Sequence, residues 1–213
     1  MSVKAGSVRT VVFNGAGAGT GLTSLVALVE DGHVVAEKLM AGRGASEHFA
    51  PAIRELLTQN NWTTPPDRVV AVIGPGSFTG LRSSLSLAAG LAAGWNCPTI
   101  GVTLGAAIRA TLTRPDAVCV SIARRGRVFV DPPHGPVTAS QTADLDATGW
   151  ACVTGDAVSE KTDWPCPVLP CEAPYALGII QAAQGVTPSP LMPLYVDPPE
   201  AKPPAAGLRP APL

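Results

Sequence analysis

Apolar residues in the first hundred positions fall into short unbroken runs and helical repeats, punctuated by glycine, asparagine and proline. Residues 9–13 form one such run and predict a strand. A glycine-rich break follows at Gly15, Gly17, Gly19 and Gly21, and residues 22–30 predict a second strand. Asp31-Gly32 is a two-residue hairpin signal, so residues 33–39 are expected to pair back as a third strand in an antiparallel meander. Ser46 is a candidate helix N-cap. Phe49, Ile53, Leu56 and Leu57 then recur at helical spacing. Pro51 is expected to kink or delay this helix because it removes a donor, and Asn60-Asn61 and Pro65-Pro66 to end it. Residues 68–73 read as a buried, valine-rich strand, residues 81–95 as a helix stopped by Pro98, and residues 99–102 as a strand. The order is β-β-β-α-β-α-β.

A second unit starts near Thr103. Residues 104–112 predict a helix, and residues 117–122 and 127–131 a hairpin turning through Arg124, Arg125 and Gly126. Residues 131–135 are a proline-rich loop. Residues 151–154 and 167–169 are weak strands, and residues 176–183 a helix. From Pro188 onward proline is dense, and the chain is expected to lie extended over the surface or to be disordered. No internal repeat is visible. The expectation is an α/β chain of two subdomains, 1–103 and 104–213.

Charge changes this picture at one place. Residues 83–108 contain no Asp, Glu, Lys or Arg. Serines, glycines, Asn96 and Pro98 interrupt the apolar run, which argues against a membrane span. The helix at 81–95 carries an apolar stripe of Leu81, Leu85, Ala88, Leu91 and Ala92. A second stripe of small residues, Ser83, Ser86, Gly90 and Gly94, lets another backbone approach closely. Burial inside the domain and burial against another subunit both satisfy this pattern. Across all 213 residues 46% are apolar and the formal net charge is −1, unlike a chain that grips nucleic acid alone. The five cysteines are scattered and lack zinc-ligand spacing. The N-terminus shows no apolar signal core, so a reduced, cytoplasmic setting is expected.

The most informative segment is Gly74-Pro75-Gly76-Ser77-Phe78-Thr79-Gly80-Leu81-Arg82, between a strand and a helix. Glycines allow close backbone approach, and Ser77 or Thr79 can cap the helix. The free N–H groups of a helix start suit an anion, making Gly76, Ser77, Thr79, Gly80 and Arg82 candidate nucleotide or anion contacts. The segment is not a Walker A loop, for it has no lysine. Its G-x-G-x-x-x-G spacing is one residue longer than a dinucleotide fingerprint. The flanking glycines of a nucleophile elbow are missing around Ser77. A capped turn without a ligand remains the alternative.

This segment resembles a signature of the TsaB/YeaZ family. The resemblance extends to residues 46–57, to residues 87–102, to the arginine hairpin at 123–129, and to Pro193-Leu194-Tyr195-Val196 with the following 197–202. It implies an actin-like ATPase (ribonuclease H-like) fold and a non-catalytic role. Such proteins pair with the catalytic subunit TsaD and the ATPase TsaE to threonylcarbamoylate the adenosine beside the anticodon of tRNAs that read ANN codons. The donor is threonylcarbamoyl-AMP. No cofactor is required of this chain itself, although ATP or ADP at the subunit junction is compatible with the resemblance. The two N-terminal helices are implied to form the partner interface, or a homodimer through the same face, with tRNA met only through the complex. Phe49, Ile53, Leu57, Leu81, Leu85, Ala88 and Ala92 are the expected interface residues.

Four positions depart from the family pattern. Asn14 stands where the family has Asp, Ala45 where it has His, Ile122 where it has Asp, and Asp197 where it has Arg. In actin-like ATPases the first of these works with Mg²⁺ and phosphate, so its loss argues against ATP hydrolysis. His33, His48 and His134 show no pairing with a nucleophile. Arg82 is a candidate for a partner carboxylate or phosphate, and Arg124, Arg125 and Arg127 for RNA or a partner's acids. Two enzyme readings compete with the scaffold. One is an actin-like small-molecule kinase or ATPase, which needs a metal-holding carboxylate. The other is a peptidase, which needs an activated serine.

Overall fold

The computed structural model describes residues 7–19 and 21–196. Strands β1 (Arg9–Asn14), β2 (Ser24–Glu30) and β3 (His33–Met40) form the expected antiparallel meander. Asp31 and Gly32 turn the β2–β3 hairpin with φ of 49° and 77°, as a two-residue turn requires. Strands β4 (Arg68–Gly74) and β5 (Thr99–Thr103) join parallel on the other side of β1, giving the order β3-β2-β1-β4-β5.

Helices α1 (Phe49–Gln59) and α2 (Phe78–Trp95) pack together on this sheet. Helices α3 (Leu104–Leu112) and α4 (Ala176–Ala182) also pack together and also contact it. β1 shows why two layers are needed. Successive residues of a strand point to opposite faces, yet Val11, Val12 and Phe13 are all fully buried. The Phe13 ring meets that of Phe49 on α1 at 6.5 Å.

Ser46 is not the cap of α1. It lies in a short 3-10 turn (Ala45–Glu47), and His48 precedes the helix. Pro51 does not delay α1, which begins at Phe49. It occupies the first turn, where a backbone N–H has no partner within the helix, so nothing is lost there.

The second sheet consists of β6 (Val118–Ile122), β7 (Arg127–Asp131), β8 (Thr138–Gln141), β9 (Val153–Thr154) and β10 (Val168–Leu169), in the order β10-β9-β6-β7-β8. β6, β7 and β8 form an antiparallel meander, and β9 and β10 add parallel beside β6. Numbered within its own half, each sheet reads third, second, first, fourth, fifth. The repeat absent from the sequence is therefore present in the architecture. The layout is that of the actin-like ATPase (ribonuclease H-like) fold. In the second half, 3-10 turns (Thr142–Asp144 and Val158–Glu160) stand where the first half has α1 and α2.

The boundary at 103/104 divides the sheets but not the core. Leu104, Ala107, Ile108, Ala176, Ile179 and Leu191 share one apolar cluster with β1, β2 and β4. A smaller cluster gathers Val118, Val120, Val128 and Val153. The buried Asp131 carboxylate ties β7 to α3, accepting from Gly105 N–H at 3.0 Å and from Arg109 Nη2 at 3.0 Å. The described end of the chain is extended and returns to the first sheet. Ser189 N–H donates to Thr99 O at 3.0 Å, and Leu194 N–H to Ile73 O at 2.8 Å. The family-like residues 197–202 lie outside the described residues.

Candidate functional site

The glycine-rich turn and the β1–β2 loop are folded against each other. Ser77 caps α2, its Oγ accepting from Gly80 N–H at 3.3 Å, so the cap is Ser77 and not Thr79. Ser77 N–H donates to Ala16 O at 2.8 Å. Only glycine permits this approach. Gly76 has a φ of 154°, and a Cβ there would sit 2.2 Å from Ala16 O. A Cβ at Gly80 would sit 2.4 Å from Gly15 O.

This packing bears on three of the five anion-site candidates. The N–H groups of Ser77 and Gly80 already have acceptors within the chain, and Gly76 is closed over by Ala16. Asn14 is fully buried. It donates through Nδ2 to Thr23 O at 2.9 Å and accepts from Ala16 N–H at 3.1 Å. Both ends of its amide are used to hold the loop. Of the five candidates, Thr79 and Arg82 stay exposed. The serine that a peptidase would activate is a helix cap.

The interface expectation needs a second correction. Phe49, Ile53, Leu81, Leu85, Ala88 and Ala92 are buried within the chain, under the sheet side of α1 and α2. Leu57 is half-buried against the same cluster. Their helical spacing registered the core, because the sheet claims the apolar stripe first. What α2 offers outward is the small-residue stripe. Ser86, Gly90, Ala93 and Gly94 are exposed, and a Cβ on Gly90 or Gly94 would meet nothing within 4 Å.

At the start of this outward face lies an open groove of about 620 Å³, lined by Ser46, Phe78, Thr79, Arg82, Ser83 and Ser86. Ser83 Oγ donates to Ser46 O at 2.9 Å, joining α2 to the turn before α1. Arg82 is exposed, and its guanidinium lies 3.9 Å from the centre of the Phe78 ring. Its Nε donates to Tyr195 Oη at 2.8 Å. The Tyr195 and Phe78 rings are 5.6 Å apart. The grouping joins positions 113 apart in sequence. No local pattern announces such a contact, so Phe78 and Tyr195 were not foreseen as part of this site.

Asp156 was also not foreseen. It follows β9 and reaches toward the β1–β2 loop. Burial pushes its carboxyl up to about 6, the nearby Glu172 adds to the rise, and N–H groups of Ile122 and Ala18 oppose it. Arg124 and Arg125 sit exposed at the β6–β7 turn, and Arg127 leans back to Ala139 O. Among the described residues no group of three or more His, Cys, Asp or Glu gathers as a metal site. No helix among them is long and apolar enough to cross a membrane.

Two solved structures from Pseudomonas aeruginosa share this architecture. One is described as an uncharacterized protein with similarity to peptidase YEAZ, with a TM-score of 0.71 at 18% identity over 89% of this chain and 100% of that one. The other is YeaZ, with a TM-score of 0.69 at 18% identity over 88% and 99%. An uncharacterized Mycobacterium tuberculosis protein is 31% identical over 169 residues, 76% of this chain and 79% of the relative. The Escherichia coli tRNA threonylcarbamoyladenosine biosynthesis protein TsaB is 37% identical over 79 residues, 37% of this chain and 34% of that one. The family model described as TsaD: tRNA N6-adenosine threonylcarbamoyltransferase matches residues 34–152, more than half of the chain. The chain belongs to the TsaB/YeaZ family. That family takes part in tRNA threonylcarbamoyladenosine biosynthesis.

Proposed function

We propose that this chain is a non-catalytic subunit that pairs with a TsaD-type catalytic subunit and works with a TsaE-type ATPase in the cytoplasm. The complex would threonylcarbamoylate the adenosine next to the anticodon in tRNAs that read ANN codons. The observation that carries the reading is the family match over residues 34–152, which spans both helices and the glycine turn. Two structural facts support the division of labour. The Ser77 N–H is spent on Ala16 O, the Gly80 N–H on the Ser77 hydroxyl, and the Asn14 amide on backbone groups of the β1–β2 loop. The outward face of α2 is free of charge from Ser83 onward and stepped by Gly90 and Gly94, which suits close packing of a partner helix. A homodimer through the same face would compete with that pairing. With a net charge of −1 the chain meets tRNA through the complex. An ATP or ADP at the junction would be held by the partner's groups.

The test is co-expression with the TsaD-type subunit of the same organism, read by light scattering. Gly90→Arg and Ala93→Arg place charge on the outward face without entering the core. The expected result is a 1:1 complex that the double variant loses, with tRNA modification restored only by the intact pair. Two folded proteins that never associate would end this reading.

A further inference from the structure

The groove at the start of α2 contains one fixed cation. Arg82 is held by two residues, by the Phe78 ring at 3.9 Å and by Tyr195 through its ring at 5.8 Å and the Nε–H to Oη hydrogen bond at 2.8 Å. Among the described residues its two terminal nitrogens make no hydrogen bond and no carboxylate pairs with it. An arginine left to itself on a surface is mobile. This one is oriented before any ligand arrives, which lowers the ordering cost of binding. Phe78 and Tyr195, 37% and 41% exposed, keep enough open surface to be covered by something larger than an ion.

Three observations select the chemistry of the occupant. A planar guanidinium with both terminal nitrogens free matches the two oxygens of one carboxylate or phosphate. The other lining residues, Ser46, Phe78, Thr79, Ser83 and Ser86, are uncharged. A nucleic acid is held by several cations spaced along its phosphates, and here there is one. The surface that continues from Arg82 is the stepped, charge-free face of α2. It fits an apolar helix lying close, with a single acid at one end.

We propose that Arg82 docks an aspartate or glutamate side chain from a helix of the partner subunit, with Tyr195 and Phe78 as positioning residues that hold the guanidinium plane. This rests on the pairing reading above and names the polar contact within it. Tyr195 belongs to the extended chain end and Phe78 to the glycine-rich turn, so two distant segments converge to orient one side chain.

The experiment titrates the full chain with the TsaD-type subunit by calorimetry at low and high salt, and separately with tRNA alone. Arg82→Gln should raise Kd by about tenfold or more, equivalent to about 1.4 kcal/mol per decade, and flatten its salt dependence. Arg82→Lys should recover only part of this, because an ammonium lacks the planar fork. Tyr195→Phe should raise Kd by about threefold while leaving salt dependence in place. All three variants should keep the wild-type Tm. Tight wild-type binding that Arg82→Gln leaves unchanged overturns the site and spares the pairing reading. So does a lowered Tm with unaltered binding, which would assign the fork to the chain's own fold. Binding of tRNA alone that Arg82→Gln abolishes overturns it in favour of RNA. A wild-type chain that never binds the subunit overturns both.

Discussion

Asn14 sits at the end of β1 with its side-chain oxygen and nitrogen given to opposite tasks. The oxygen accepts from Ala16 N–H, and the nitrogen donates to the Thr23 carbonyl. A carboxylate meets only the first requirement. At the second it would set oxygen against oxygen in a site with no exposure to water. Asn14→Asp should therefore destabilise the fold by about 3 kcal/mol, the scale of an uncompensated buried charge. The new carboxyl should respond by taking up a proton, which raises its folded pKa. A group raised in this way contributes most below its unfolded pKa and loses that contribution as pH rises through the folded value. The deficit in urea unfolding should thus be larger at pH 7.5 than at pH 5. Equal stability of variant and parent at both values would mean that the loop supplies a donor to the second oxygen. The sequence showed that a family acid was missing here. It could not show that the replacement serves a different purpose, because both hydrogen bonds of the side chain run to backbone groups.

The elements most readable in advance were those whose hydrogen-bond partners lie nearby in sequence. The β1–β3 meander, the β6–β7 hairpin, α3 and α4 follow from local apolar spacing and turn residues. β8 was not legible, because Thr138-Ala139-Ser140-Gln141 has no apolar alternation and becomes a strand only by lying beside β7. The interface residues on α1 and α2 were legible as faces but assigned to the wrong neighbour. Periodicity reports that a stripe is buried without saying by what. The chain end, expected to lie extended over the surface or to be disordered, is extended as far as it is described and acts as an edge strap. Leu191 is buried against the first sheet, and Thr99 and Ser189 exchange hydrogen bonds along β5. Ending the chain at Val186 removes these contacts and leaves the β5 edge unpaired. Four lost hydrogen bonds, counting those of Leu194 to Ile73 and of Arg82 to Tyr195, at about 1 kcal/mol each and one uncovered leucine at about 2 kcal/mol bound the cost at roughly 6 kcal/mol. A clear drop in Tm is expected, together with self-association in light scattering as the bare edge finds partners. A truncated chain that melts with the parent and stays dispersed would mean that the strap covers β5 without supporting it.

Across the whole molecule the two sheets meet where the β1–β2 loop reaches β6, and Asp156 lies at that junction. Its carboxyl accepts from Ile122 N–H at 2.9 Å on one side, with Ala18 N–H on the other. Burial lifts its pKa from 3.8 to about 6, with Glu172 adding to the rise. A raised carboxyl favours the folded state most when protonated. Its contribution is complete below about 3.8 and is lost as pH climbs through about 6. The difference is near two pH units, so the swing is on the order of 3 kcal/mol. The surface carboxylates act in the opposite sense. Hydrogen bonds from Ser7 and Arg9 hold Glu30 below its usual range, those from Lys38 hold Glu55, and that from Arg114 holds Asp116. Their contributions are present above pH 4.5 and fade as pH falls through their folded values. Stability should thus be highest near about pH 4 to 4.5, fall between there and about pH 6, stay level from there to neutrality, and fall again on further acidification. Asp156→Asn removes the titration and should flatten the limb that runs up to about pH 6 while leaving the acid limb in place. Chemical denaturation across this range reads both limbs directly. If the parent is most stable at neutral pH, Asp156 is solvated well enough to ionise freely, and the junction between the sheets is open to water at that point.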